Sequence, residues 1–208
     1  MITYNIVIDA DDVLENLLEV WVNDLNEKHG LNYTVDDMKE WSMGHNIKEI
    51  TEEEIYEPLY DDALWEMLTP IEGAVEGLAT LCEMGHNVYI CTRHTIFKTI
   101  KTKLFRLQEL FPFIKEDQYI IAADKNMIKA DIIVDDGVHN LASIEHPCVK
   151  ILFDRPHNQH IDTDYTDLIR AKTWDDILAI IHTISNTDVM ANWLTMVLEW
   201  EKGCESIE

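Results

Sequence analysis

The apolar run Ile6, Val7, Ile8 stops abruptly at Asp9, Ala10, Asp11, Asp12, and four more runs of this kind recur along the chain. They are NVYICT (87–92), YIIAA (119–123), DIIVDD (131–136) and, after Pro147, VKILFD (149–154). Each has the length of a buried strand and gives way to acidic, small or turn residues. Helical patterns lie between them, notably residues 73–84, closed by Gly85 as a C-terminal cap, and residues 95–110, stopped before Pro112. Nearly continuous apolar strands alternating with helices predict an α/β fold: a parallel sheet of about five strands with helices on both faces.

Residues 15–70 break this rhythm. They show helical periodicity (Leu17, Leu18, Trp21, Val22, Leu25), an acidic TEEE at 51–54 and no convincing strand. A crossover between neighbouring strands needs only about 10–12 residues, so this stretch reads as a helical cap inserted after the first strand. The expected organisation is therefore a core of residues 1–14 and 71–185, a cap of residues 15–70, and a C-terminal helical extension of residues 186–208. At 208 residues and 47% hydrophobic content the chain can bury one substantial core with a small lobe beside it.

A formal net charge of −24 disfavours nucleic-acid polymers and anionic membranes, which are bound through clustered Lys and Arg. A single small phosphate stays compatible, given a local cation to offset the acidic field. The sequence has no run of about 18 apolar residues and no leader pattern, which predicts a cytoplasmic protein. Cys82, Cys91, Cys148 and Cys204 are widely spaced with no CxxC pair, suggesting neither disulfides nor a thiolate metal site.

In open parallel sheets, ligands bind at the carboxyl ends of the strands. Those ends deliver Asp9 and Asp11 from the first strand, Thr92 from the second, Lys125 from the loop after the third, and Asp135 and Asp136 from the fourth. Aspartates after strands are commonly turn formers and helix caps, and Thr92 or Lys125 alone would be an ordinary cap or surface lysine. Arriving together at successive strand ends, they form a hard-oxygen cluster suited to Mg²⁺, with a lysine and a hydroxyl for phosphate oxygens.

DADDVL (9–14), ICT (90–92), Lys125 and DIIVDD (131–136) resemble the four motifs of the haloacid dehalogenase superfamily of aspartyl-phosphate enzymes. More narrowly, PIEGAVEGLATL (70–81), ICTRH, ADKNMIKADIIVDD (123–136), ILFDRPHN (151–158) and EWSM (40–43) resemble the 5′(3′)-deoxyribonucleotidase family, the cytosolic type C 5′-nucleotidases. The resemblance implies a phosphoric monoester hydrolase acting on (deoxy)ribonucleoside monophosphates, with Asp9 as nucleophile and Asp11 as general acid and base. It further implies Mg²⁺ on the Asp9 carboxylate, the Asp11 backbone carbonyl and Asp136, with Asp135 in support, and phosphate held by Thr92 and Lys125. Leu17, Trp41, Leu64 and Trp65 fall where that family's cap surrounds the sugar and base.

The chain departs from the family pattern at Asp12, at Arg93, and at Gly137, where an Arg often stands; Arg93 is a candidate for the missing phosphate-side charge. His157 and His160 in HNQH have a ligand-like spacing, but a polar HxxH loop more often faces solvent. Two other readings stay open: a phosphatase for another small phosphomonoester such as a sugar phosphate, and a non-catalytic phospho-accepting regulatory domain. Order opposes the latter, because here the acidic pair follows the lysine. The expected partner is a small phosphomonoester, and the oligomeric state is open, a homodimer being one option.

Overall fold

A computed structural model describes residues 2–186; the expected helical extension after Asn186, with Cys204, lies outside the described residues. The chain begins with strand β1 (Asn5–Asp9) and passes into four helices, α1 (Leu17–His29), α2 (Met43–Asn46), α3 (Glu52–Tyr56) and α4 (Asp62–Glu66). Helices and strands then alternate: α5 (Ala74–Glu83), β2 (Asn87–Thr92), α6 (Ile100–Leu110), β3 (Tyr119–Ile121), β4 (Ile132–Asp135), α7 (Val138–Ala142), β5 (Val149–Phe153), β6 (Leu168–Ala171) and α8 (Trp174–Asn186). All strand pairings are parallel, in the order β3-β2-β1-β4-β5-β6. Successive strands run outward from β1 to β3, and β4 then starts again on the other side of β1. That reversal opens a crevice beyond the carboxyl ends of β1 and β4, the place where open α/β sheets bind ligands.

The two-residue alternation of the strands divides the core. Ile6, Ile8, Ile90, Ile132, Val134 and Phe153 pack toward Leu78, Leu107, Ile177 and Ile181, whereas Val7, Cys91, Ile133 and Leu152 face Leu141 and Ile144. Gly77 lets α5 approach α8: a Cβ there would stand 2.3 Å from Trp174 Cε3. The Trp174 indole in turn donates to the Val13 carbonyl at 2.9 Å, tying α8 to the loop that leaves β1.

The helical insertion buries its own apolar cluster, including Leu25, Met38, Ile47, Ile55, Leu64 and Leu68. It holds no strand, only isolated bridges at Asp11–Glu15 and Glu15–Pro70. Its entry and exit are stitched together by Asn16 N–H to the Thr69 carbonyl at 3.1 Å and Ile71 N–H to the Leu14 carbonyl at 2.9 Å. Gly30 ends α1 in the left-handed conformation, and Thr51 with Glu54 forms a capping box at the TEEE segment.

Two expectations need correction. The sheet has a sixth strand, β6, a four-residue edge strand whose sequence LIRA has too short an apolar run to announce itself. Helix α6 begins at Ile100 instead of residue 95, because the preceding loop is held by side chains: Thr99 Oγ1 contacts His94 Nε2 at 3.1 Å and donates to the Leu59 carbonyl at 3.1 Å. Among the described residues Cys82, Cys91 and Cys148 are free thiols, and no helix is long and apolar enough to cross a membrane.

Candidate active site

Asp9 is the last residue of β1, and the chain turns sharply after it. Leu14 and Glu15 N–H both donate to the Ala10 carbonyl, at 2.9 and 3.1 Å, and Asp12 takes a positive φ of 57°. The turn sends three aspartates to three tasks. Asp9 points at the crevice. Asp12 accepts the Leu18 N–H with both oxygens, at 3.0 and 3.2 Å, and so places a carboxylate on the first turn of α1. Asp11 accepts two bonds from Lys103 Nζ, at 2.5 and 2.6 Å.

Across the crevice, Lys125 Nζ lies 2.6 Å from Asp9 and 2.5 Å from Asp135. Asp135 also accepts the Gly137 N–H at 2.8 Å and the Asn140 amide at 3.0 and 3.2 Å. Gly137 packs closely here: a Cβ would stand 2.8 Å from Asn140 Nδ2 and 3.0 Å from Asp135 Oδ1, so a longer residue needs the Asn140 side chain to shift. Asp136 has His157 Nε2 at 3.3 Å and its carbonyl accepts from Asn158 at 2.9 Å. The Thr92 hydroxyl, at the end of β2, is buried and has no hydrogen-bond partner.

Asp9, Asp11, Asp12, Glu15, Asp135 and Asp136 cluster here with Lys103, Lys125 and Arg155, while Glu40 and Arg93 line the cavity beyond. Burial holds Asp9 and Asp136 well above the usual carboxylate range, with the other acids adding to it and Lys125 opposing it. Burial likewise pushes Asp12 up to about 7. Burial pulls the Lys125 ammonium down, but Asp9 and Asp135 more than offset this and hold it above its usual range. One ammonium thus does not neutralise the cluster. Asp9, Asp135 and Asp136 can each present an oxygen within 4.8 Å of one another, a donor set that fits a hard divalent cation such as Mg²⁺. Asp135, already bonded on both oxygens, is suited to support. The Asp11 side chain, beside this donor set, is bonded to Lys103.

The crevice widens into a cavity between the sheet and the insertion, lined on one side by Leu17, Met38, Trp41 and Met43 and on the other by Arg93 and His139. Asp9, Asp11, Lys125 and Asp136 lie at its floor. Trp41, 53% exposed, sets its ring edge-on against His139 and His157, with centroids 4.4 and 5.0 Å away. Leu64 and Trp65, expected around a substrate, are buried in the insertion's core and are not among the residues that line this cavity. Trp65 donates to the Leu59 carbonyl at 3.0 Å and turns its ring to His94 and Lys103, because the short helix α4 packs on α6.

Several residues at the site carried no role in the sequence. Lys103 reads as one of two lysines in TIKTKLF, and Glu15 as the first residue of the insertion. Arg155, inside the ILFDRPHN motif, donates to the Asp12 carbonyl at 2.6 Å. His157 of the HNQH loop does not face solvent: its side chain is 8% exposed, whereas His160 is exposed.

The sequence matches the family described as "5′ nucleotidase, deoxy (Pyrimidine), cytosolic type C protein" over residues 2–187. A Bacillus subtilis (strain 168) protein named 5′(3′)-deoxyribonucleotidase is 37% identical over 173 residues, covering 83% of this chain and 95% of that protein. One of the same name from Clostridium acetobutylicum is 28% identical over 179 residues, covering 86% and 95%. Among solved structures, a haloacid dehalogenase-like family protein from Streptococcus pneumoniae superposes with a TM-score of 0.61 at 14% identity, over 86% of this chain and 98% of that one. A HAD family hydrolase from Deinococcus radiodurans R1, with bound phosphate and sodium, gives 0.56 at 13% identity, over 86% and 95%. At such identities the structural likeness establishes the fold alone.

Proposed function

We propose that this chain, which belongs to the deoxy (pyrimidine) 5′-nucleotidase family of cytosolic type C, hydrolyses deoxyribonucleoside monophosphates through a phosphorylated Asp9. It is a phosphoric monoester hydrolase of haloacid dehalogenase fold. The observation that carries the reading is the convergence of four strand ends on Asp9: Lys125 at 2.6 Å, the unpartnered Thr92 hydroxyl, and Asp135 with Asp136 across the β1–β4 crevice.

In the proposed reaction an Asp9 carboxylate oxygen attacks phosphorus in line, and the bond from phosphorus to the nucleoside oxygen breaks. Asp11, protonated, gives its proton to that departing oxygen. Lys125 and the Thr92 hydroxyl donate to the non-bridging phosphate oxygens. Asp11, now ionised, takes a proton from a water that attacks the aspartyl-phosphate, which frees phosphate and restores Asp9. Mg²⁺, held by Asp9, the Asp11 carbonyl and Asp136 with Asp135 in support, would supply positive charge to the phosphoryl oxygens and offset the acidic cluster. The insertion serves as a cap over residues 1–14 and 71–185, with Leu17 and Trp41 facing the nucleoside and Arg93 near the mouth. A small phosphomonoester is the partner, and the proposed location is the cytoplasm.

The test is phosphate release from a panel of deoxyribonucleoside 5′- and 3′-monophosphates, ribonucleotides and sugar phosphates. Asp9→Asn should abolish turnover on every substrate while the far-UV spectrum stays native. Near-normal turnover by that variant removes Asp9 as nucleophile, and a preference for sugar phosphates removes the nucleotide assignment.

A further inference from the structure

Helix α6 meets the insertion with a single face. Thr99 just before it, then Thr102, Lys103 and Arg106, follow the i, i+3, i+4, i+7 spacing of one helical stripe. Thr99 donates to the Leu59 carbonyl at 3.1 Å, Thr102 to Asp62 Oδ1 at 2.5 Å, and Arg106 to the Leu68 carbonyl at 2.9 and 2.7 Å. Lys103 is the exception in this row. Its Nζ lies 4.7 Å from the centre of the Trp65 ring on the insertion side, and it also reaches inward to both oxygens of Asp11.

Lys103 is fully buried. Its ammonium is enclosed by the Trp65 face, the Asp11 carboxylate and Glu15 Oε1 at 3.7 Å. Burying an ammonium costs several kcal/mol and needs close partners in return. The partners here include the one carboxyl that the proposed reaction uses for proton transfer, and a ring supplied by the insertion. A carboxyl that must face a leaving oxygen in one step and a water in the next gains from a fixed direction, since a misplacement of about 1 Å can cost on the order of a hundredfold in rate.

We propose that Lys103 is the positioning residue for Asp11, and that through the Trp65–Lys103 contact the docked insertion sets the aim of the proton donor. This rests on Asp11 being the acid and base. Nζ reaches both Asp11 oxygens, so the contact fixes the direction of the carboxyl group. Trp65 therefore influences the reaction although it lines no part of the substrate cavity.

The experiment uses the full-length, Mg²⁺-loaded protein and measures kcat and KM for wild type, Asp11→Asn, Lys103→Met and the double variant. The substrates are a deoxyribonucleoside 5′-monophosphate, whose leaving oxygen needs a proton, and 4-nitrophenyl phosphate, whose leaving group needs far less. Lys103→Met keeps the stem and removes the donor. It should lower kcat on the nucleotide on the order of a hundredfold, with KM within about threefold. The loss on the aryl phosphate should be about tenfold smaller, and the double variant should be no slower than Asp11→Asn. Parallel losses on both substrates, or a double variant slower than Asp11→Asn by the full Lys103→Met factor, would mean that Lys103 only supports the fold, and the inference is overturned. If Asp11→Asn itself does not distinguish the two leaving groups, the acid assignment fails and takes the inference with it. Should Lys103→Met not fold, Lys103→Gln, with one uncharged donor, is measured in the same way, and the same patterns decide.

Discussion

The strand ends and the helical insertion treat similar information differently. At the sheet, register fixes what faces what: Asp9 sits beside Cys91, Asp135 beside Leu152, and the acids and Lys125 fall around one crevice. In the insertion, two tryptophans that look alike in sequence part ways. Trp41 stands 53% exposed at the cavity mouth, whereas Trp65 is 2% exposed in the lobe's core. A parallel sheet transmits position from strand to strand, so a polar residue at a strand's carboxyl end has one place to go. Helices of four and five residues have too few turns to define a buried stripe, so the facing of each side chain is decided by packing alone.

The sharpest way to break this comparison is at its most determined point. Lys125→Met should lower kcat/KM roughly a thousandfold, as expected for losing a preorganised donor to the phosphoryl oxygens. It should also destabilise the metal-free protein by about 3–5 kcal/mol, because Asp9 and Asp135 lose their shared cation. Thermal melts with and without Mg²⁺ check the second effect: the ion should recover part of the melting temperature and little of the rate. A variant with native stability and a small rate loss would mean that the strand-end cluster is not organised around Lys125.

How far the sequence was legible follows the same division. The abrupt apolar-to-acidic transitions placed β1 and β4, and the apolar run ending in Thr92 placed β2, since strand and loop chemistry coincide there. The edge strand β6 escaped because an exposed edge needs little apolar sequence. Lys103 and Glu15 were hidden for a different reason. Helical periodicity assigns a lysine to a solvated face, and only the packing of α4 on α6 puts Lys103 over Asp11. Gly137 read as a missing arginine, and its close packing on Asn140 and Asp135 was not visible in the sequence.

Within the insertion, loss of the two tryptophans should differ most in stability. Trp65→Ala should destabilise the protein by about 3–5 kcal/mol, the usual loss for emptying a large aromatic site in a core, measured by chemical denaturation. Trp41→Ala should leave stability within about 0.5 kcal/mol and instead reduce kcat/KM for a deoxyribonucleoside monophosphate about tenfold, consistent with a stacking contribution of about 1–3 kcal/mol. The aryl phosphate, too small to reach Trp41, should lose less. If Trp41→Ala destabilises as much as Trp65→Ala, its edge contacts with His139 and His157 hold the insertion on the core and do not mark a substrate wall.

The opposite end of the sheet offers the smallest test, because there a titratable group has no chemistry to perform. His86, just before β2, is buried; its Nδ1 accepts the Tyr4 N–H at 3.3 Å and its ring stacks on Tyr4 at 5.6 Å. Accepting that N–H requires an unprotonated Nδ1, and burial pulls the imidazole below its ordinary value. Above the unfolded value of about 6.5 both states are neutral and His86 costs nothing. As pH falls through that value the unfolded chain takes up the proton first, so stability declines until the lowered folded value is passed. His86→Gln keeps an oxygen for the Tyr4 N–H and cannot titrate. Its stability should therefore fall less than wild type between pH 6.5 and pH 5.5, read from paired denaturation curves that cancel the other acids. Its kcat/KM at pH 7.5 should match wild type, since His86 lies at the amino end of the sheet and Asp9 at the carboxyl end. A changed rate with an unchanged pH slope would show the two ends of the sheet to be coupled, and the separation between a chemical end and a purely structural end would fail.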